Sequence, residues 1–261
     1  MTILDNIVAH KRSEVGLKKS QTPISQLEQA PFFSRVTYSL KTNLMNSPSG
    51  IIAEHKRKSP SKAVINNSLN LIDVAKGYEN AGVSGMSVLT DEKYFGGTLE
   101  DLKTARNICN LPLLRKEFII NEYQIIEAKA SGADLILLIA AILTKDEIKS
   151  YSELAKSLGM EILLEVHNLE ELEKSMMPSL DMIGVNNRNL KTFEVNLDIS
   201  KSLSDRIPDD FVKVSESGIS NVAAIKDLKT YGYQGFLIGE NFMKTSNPGN
   251  SASQFINELR R

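Results

Sequence analysis

Charged side chains close several short apolar runs in this chain, where burial would strip their hydration at a cost. Glu54 and Lys56 follow Gly50-Ile51-Ile52-Ala53, Lys116 follows Leu113-Leu114-Arg115, and Glu165 follows Glu161-Ile162-Leu163-Leu164. Residues two apart on a strand share a face. Glu54 and Lys56 are therefore in phase with Ile52, Lys116 with Leu114 and Phe118, and Glu165 with Leu163. Two further runs end on Asn186 and Glu216. Ammonium and carboxylate groups placed this way can donate and accept protons on two sides of one substrate. The alternative is a buried network of ion pairs that only neutralises itself.

Two other stretches have the chemistry of an anion grip. Ser215-Glu216-Ser217-Gly218-Ile219-Ser220 and Leu237-Ile238-Gly239-Glu240 each end an apolar run and lead toward a helical pattern. Glycine lets a backbone approach an anion closely, and a helix N-terminus supplies free N–H groups with a favourable dipole. The plainer reading is a pair of tight turns. A Glu240 carboxylate would repel a phosphate, so its side chain is expected to face away and leave only its N–H.

Positioning these groups together requires a regular scaffold. Candidate strands are Gly50–Glu54, Gly85–Leu89, Leu113–Lys116, Leu135–Leu138, Glu161–Val166, Met182–Asn186, Phe211–Glu216 and Gly235–Ile238. Amphipathic segments alternate with them near Leu71–Ala81, Leu99–Ile108, Glu122–Ser131, Lys145–Leu158, Leu169–Ser175, Asp198–Leu203, Asn221–Thr230 and Ser253–Leu259. Gly82, Gly132, Gly159 and Gly232 stand where left-handed helix ends are expected. Eight such alternations predict an α/β fold of the (β/α)8 TIM-barrel type, in which functional groups gather at the C-terminal strand ends. An open doubly wound sheet is the rival, but the first strand is followed by HKRKSPSK and not by a glycine-rich dinucleotide turn. Before the barrel, Ile3–Val15 has helical spacing. A polar connector with Pro23, Pro31 and two apolar patches leads to Pro48. The expectation is one barrel domain over residues 1–261, with residues 1–47 as a helical extension packed on it.

Composition narrows the function. The chain has 261 residues, 41% apolar and 24% charged, with a formal net charge of -1, which gives no electrostatic reason to expect nucleic acid as a partner. Cys109 is the single cysteine, so no internal disulfide can form, and the three histidines lack ligand spacing; no metal is expected. The longest apolar run, Leu135–Leu143, is too short to span a bilayer, and Asp5 interrupts the N-terminal apolar residues. A cytoplasmic protein with no membrane partner is expected. A monomer is the default, since no association motif is visible, and no fused second enzyme is expected after the final helix.

The blocks IIAEHKRKSPSK, LTDEKYFGG, LLRKEFI, GADLILLIAAIL, LLEVHN, GVNNRNL, VSESGI and FLIGENFM, in this order, resemble the indole-3-glycerol phosphate synthase family from about Gly50 to Met243. SESGI alone would be weak, because other phosphate-binding barrels use similar turns; eight blocks at barrel spacing are specific. The resemblance implies a small anionic phosphorylated substrate, 1-(2-carboxyphenylamino)-1-deoxyribulose 5-phosphate, converted to indole-3-glycerol phosphate, carbon dioxide and water with no cofactor or metal. It makes Lys116 the general acid and Glu165 the general base. Lys56 falls near the substrate carboxylate, and Glu54 orients a lysine and contacts the reacting oxygen. Asn186 and Glu216 match polar groups about the sugar and the reacting centre. Ser59, Ser217, Gly218, Gly239 and Glu240 match phosphate contacts, while Phe95, Phe118, Leu137 and Leu190 match the apolar walls around the aromatic ring. The N-terminal helix resembles an extra element that closes the bottom of the barrel and reaches its top side. His55 and Ala63 depart from the family's usual aliphatic residue and glycine; strand phase turns His55 from the mouth, and Ala63 would bear on loop mobility.

Two other readings remain open from the residues: a lysine Schiff-base aldolase acting on a phosphorylated sugar, and a non-catalytic phosphate-ligand barrel. His167 shares the phase of Glu165 and is read as a supporting or loop-capping residue. His10 and His55 are read as surface or supporting residues, and Arg57 and Lys58 as a positive field or a solvated face.

Overall fold

Helices in this chain begin where a short polar side chain can satisfy free backbone donors. Thr2 and Asp5 cap α1 (Ile3–Gln21) reciprocally. This helix continues beyond the expected Val15, braced near its end by a 3.0 Å Glu14–Lys18 pair one turn apart. The computed structural model describes residues 2–60, 62 and 64–261, so the expectation for Ala63 lies outside the described residues.

The connector contains two short helices, α2 (Ile24–Leu27) and α3 (Leu40–Asn46), the latter capped by Ser39. The alternation then runs β1 (Ile51–His55), α4 (Leu71–Ala81), β2 (Gly85–Leu89), α5 (Glu92–Phe95), α6 (Leu99–Ile108), β3 (Leu113–Lys116) and α7 (Glu122–Ala130). It continues through β4 (Leu135–Ile139), α8 (Lys145–Ser157), β5 (Glu161–Val166), α9 (Leu169–Ser175), β6 (Met182–Asn186) and α10 (Asp198–Leu203). The last elements are β7 (Val212–Glu216), α11 (Val222–Thr230), β8 (Tyr233–Ile238), α12 (Glu240–Met243) and α13 (Pro248–Leu259). Differences from the expected bounds are local. Gly50 has a φ of 67° and so cannot extend β1, and Asn247 with Pro248 starts α13 before Ser253. The four glycines expected at helix ends all have positive φ.

The strands pair in sequence order, every pair parallel, and β1 closes on β8. Parallel pairing sends all eight C-terminal strand ends to one rim. Inside the barrel, Ile52, Leu114, Leu135, Leu137, Leu163 and Met182 form one buried cluster, so the phase expected for Ile52, Leu114 and Leu163 is the interior one. The N-terminal segment serves both ends of this cluster through different helices. On α3, Leu40 and Leu44 fill the bottom, where Asn43 Nδ2 donates to the Ser84 carbonyl at the foot of β2. On α1, Ile7 joins the cluster, with Ile3 and Leu4 packed beside it near the rim.

A buried ion cluster fastens α1 there. Lys11 is fully buried, its Nζ 2.7 Å from Glu14, 2.8 Å from Asp91 and 3.0 Å from Glu117. Burial alone would lower its pKa, but Glu117 and Asp91 outweigh that and raise it. Asp91 also caps α5, and Glu117 directly follows Lys116. Replacing Lys11 with methionine keeps the stem but strands two buried carboxylates. We expect K11M to lose about 3–5 kcal/mol of stability and to melt roughly 10 °C below the parent in a circular-dichroism scan. Melting alongside the parent would mean that the cluster does not anchor α1.

Candidate active site

Four strands deliver charge to the centre of the rim. From β3, Lys116 Nζ lies 2.6 Å from Glu216 on β7, 3.7 Å from Glu54 on β1 and 3.9 Å from Glu165 on β5. Just beyond β1, Lys56 Nζ lies 2.7 Å from the other oxygen of Glu54. Neighbours make room for this arrangement. A Cβ on Gly184 of β6 would stand 2.3 Å from Glu216 Oε1, and one on Gly239 would stand 2.5 Å from Glu54 Oε1. Ser87 of β2, directly opposite Glu54 in register, donates to Glu54 Oε2 at 3.4 Å.

The electrostatics separate the roles. Burial would lower the pKa of the Lys116 ammonium, but Glu216, Glu54 and Glu165 together outweigh it and raise that pKa. Burial would raise the pKa of Glu54, yet Lys56 and Lys116 hold it below the usual carboxylate range. Glu216 moves the other way: burial, reinforced by Glu165 and Glu54, outweighs Lys116 and raises its pKa. Three carboxylates thus face two ammonium groups, and Glu216 is the one driven toward holding a proton. A lysine kept charged is a proton donor and a poor amine nucleophile, which speaks against Schiff-base chemistry.

Glu54, Lys56, Lys116, Glu165 and Asn186 all line one cavity of about 320 Å³, large enough for a small ligand. Glu216 stands behind Lys116, fully buried, and does not itself line the cavity. One wall is aromatic: the rings of Phe95 and Phe118 lie 5.9 Å apart, tilted by 36°. Leu137 and, from α1, Ile3, Leu4 and Ile7 pack in the same apolar cluster, and Leu190 also lines the cavity. The family resemblance included top-side contributions from the N-terminal helix, but which residues make them was not legible before folding.

The opposite end of the cavity has Ser217, Gly218, Gly239, Glu240 and Ser59. Ser217 and Gly218 both adopt left-handed backbone, with φ of 67° and 80°. A side chain on Gly218 would also meet Val195 Cγ1 at 2.3 Å, so the turn requires glycine. Asn187, fully buried, holds this loop: its Nδ2 donates to Ser215 Oγ and the Glu216 carbonyl at 2.9 Å each, and to the Ser217 carbonyl at 3.2 Å. Ser200 donates to its Oδ1 at 2.8 Å. The Glu240 carboxylate receives Lys62 Nζ at 2.9 Å, which ties the loop after β1 to the start of α12. Ser59 and Lys62 exchange backbone hydrogen bonds of 2.9 and 3.0 Å in that loop.

Several participants escaped the sequence reading. Arg188 and Lys244 line the cavity and add cationic groups. The run Asn186-Asn187-Arg188 was visible, but not that alternate members face the cavity and the loop's underside. Arg57 is not a free cation for substrate: its guanidinium forks onto Asp101 at 2.6 and 2.7 Å and donates to the Gly96 carbonyl. His55 is buried, 1% exposed, and is absent from the cavity lining. Burial, with the Arg57 charge adding to it, pushes its pKa down to about 4. Among the described residues, no group of three or more His, Cys, Asp or Glu side chains is arranged to hold a metal ion.

Comparison with known proteins identifies the family and the fold. The family profile described as indole-3-glycerol phosphate synthase matches residues 4–256. An indole-3-glycerol phosphate synthase from Bacteroides thetaiotaomicron is 46% identical over 258 residues, covering 99% of each chain. Among solved structures, KGPDC from Streptococcus mutans superposes with a TM-score of 0.61 at 15% identity, covering 81% of this chain and 97% of that one. The 3-hexulose-6-phosphate synthase from Salmonella typhimurium gives 0.63 at 13% identity, covering 80% and 99%. Identities this low show a shared barrel and nothing about chemistry.

Proposed function

This chain belongs to the indole-3-glycerol phosphate synthase family, and we propose that its Lys116 and Glu165 act as the acid and base of that family's reaction. The reaction closes the ring of 1-(2-carboxyphenylamino)-1-deoxyribulose 5-phosphate, with loss of carbon dioxide and water, to give indole-3-glycerol phosphate. The observation that carries the assignment is the charged Lys116 held among three carboxylates at the floor of a cavity with an apolar wall at one side and a glycine turn at the other.

In this reading the Ser217–Gly218 and Gly239–Glu240 turns, with Ser59, take the phosphate. Phe95, Phe118, Leu137 and Leu190 flank the aromatic ring. Anchoring at both ends brings the ring carbon to the sugar carbonyl, so that remote binding energy is used for orientation. Lys116 donates to the carbonyl oxygen as the new carbon–carbon bond forms, stabilising the developing negative charge. Lys56 faces the substrate carboxylate, and Glu54 fixes both ammonium groups. Decarboxylation restores aromaticity. The hydroxyl then departs as water while Glu165 takes a proton from the adjacent methylene carbon. Asn186 and Glu216 hold the sugar and the lysine in place.

No helix among the described residues is long and apolar enough to cross a membrane; a cytoplasmic monomer that works without metal or other cofactor is part of the same proposal. Purified protein incubated with the carboxyphenylamino-deoxyribulose phosphate should develop indole fluorescence. Absence of signal from folded protein at high enzyme concentration would reject the assignment.

A further inference from the structure

The reaction has a proton balance that the cavity alone does not meet. The carbonyl oxygen leaves as water carrying two protons. One is equivalent to the methylene proton taken by Glu165, and the other comes from the medium when the substrate carboxylate enters ionised. Glu165 is 4% exposed and faces a cavity that substrate fills. Each turnover thus takes up one net proton from water, and while the mouth is occupied that proton needs a route to Glu165, whose carboxylate lies 3.9 Å from the donating Lys116.

A side-chain chain behind Glu165 leads to a second cavity. Glu165 Oε1 lies 3.4 Å from His167 Nε2, and His167 Nδ1 lies 3.1 Å from Glu171 Oε2. The backbone N–H of His167 donates to that same oxygen at 2.9 Å, and Asn168 Nδ2 donates to Glu171 Oε1 at 2.9 Å, so the carboxylate is held from two sides. His167 and Glu171 line a second cavity of about 770 Å³ between α1 and the loops after β4, β5 and β6. Asp5 and Arg12 face it from α1, and Arg188 and Lys191 from the β6 side. Nε2 is buried without a hydrogen-bond partner among the described residues. Its separation from Glu165 is one that a small side-chain turn closes, as catalytic hydrogen bonds often tighten only when substrate is bound.

We propose that His167, held by Glu171, is a proton port connecting Glu165 to the water of the second cavity. The inference rests on the assignment of Glu165 as the base. In the outward direction the Glu165 proton passes to Nε2 of the neutral ring as the Nδ1 proton passes to Glu171. Glu171 then releases a proton to water, and the ring ends neutral with its proton on the other nitrogen. The inward direction reverses these transfers and carries the one net proton of each turnover, which Glu165 hands to Lys116 to replace the second proton that leaves with the water. Burial disfavours the imidazolium, but the Glu171 hydrogen bond and the charges of Glu165, Glu171 and Glu216 outweigh it and raise the His167 pKa. His167 touches no substrate in this scheme and acts through Glu165.

The test uses the full chain with H167A, H167Q and E165Q measured together. H167A should lose roughly 10-fold in kcat with KM little changed, less than the 10²–10⁴-fold of a directly acting acid or base. Added imidazole, entering from the second cavity, should restore much of that loss. H167Q keeps a polar side chain but cannot carry a proton and should show the same deficit, which guards against an H167A that fails to fold. Parent-like kcat in H167Q, or a folded H167A that imidazole does not improve, overturns the port. E165Q separates the two failures: an inactive E165Q beside a parent-like H167Q rejects only the port, whereas an active E165Q rejects the base itself.

Discussion

Replacing Lys116 with methionine is expected to lower kcat by about 10²–10⁴-fold, the scale of a positioned acid or base, with a much smaller change in substrate affinity. Methionine keeps most of the apolar stem, so the cavity floor survives while the ammonium disappears. The barrel should remain folded because Glu54 retains Lys56 at 2.7 Å, and Glu216 can be neutralised by the proton its surroundings favour. E165Q, which keeps the shape and removes the base, should fall by a similar factor. The two variants should stop at different stages. K116M should fail at ring closure, where negative charge develops on the carbonyl oxygen. E165Q should still close the ring and release carbon dioxide, then stall before dehydration. Rapid quenching distinguishes them, because E165Q should release carbon dioxide faster than it yields indole product. Near-parent kcat in both folded variants would remove these residues from the chemistry. A common block before ring closure would instead leave the site standing and overturn the assignment of steps.

S217D should raise KM by roughly 10²-fold, since a like charge set against a bound anion costs several kcal/mol. Position 217 suits the test because its φ of 67° lies in a region that aspartate, unlike most side chains, tolerates. The loop is also held from beneath by Asn187, so the change adds charge without dismantling the turn. Inorganic phosphate should compete with substrate in the parent and lose that competition in S217D. An unchanged KM, with phosphate still competing, would place the phosphate elsewhere.

Much of this architecture was legible in the letters because it depends on local periodicity. Strand phase put Ile52, Leu114 and Leu163 inside the barrel, and the same two-residue repeat carried Glu54, Lys116 and Glu165 to its rim. Helix ends could be read from Gly82, Gly132, Gly159 and Gly232 because left-handed backbone is a property of single residues. The ordered motif blocks supplied the chemistry that residue types alone left divided among three readings.

What could not be read were the contacts between residues distant in sequence. Lys11 looks like the polar face of an amphipathic helix, and only folding places it between Asp91 and Glu117 with no exposed surface. Arg57 reads as spare positive charge until Asp101 takes its fork. Asn187 holds the Ser217–Gly218 turn because β6 and β7 are neighbours, and Gly184 clears space for Glu216 across the same pair of strands. The physical division is between range and partner. Side-chain phase and backbone preference are set within a few residues, so the sequence by itself determined the fold class and the residues aimed at the mouth. A charge's protonation and a cavity's walls depend on whatever closure brings within about 4 Å. Only the closed barrel decided that Lys116 stays charged and that Glu216 is driven toward its proton.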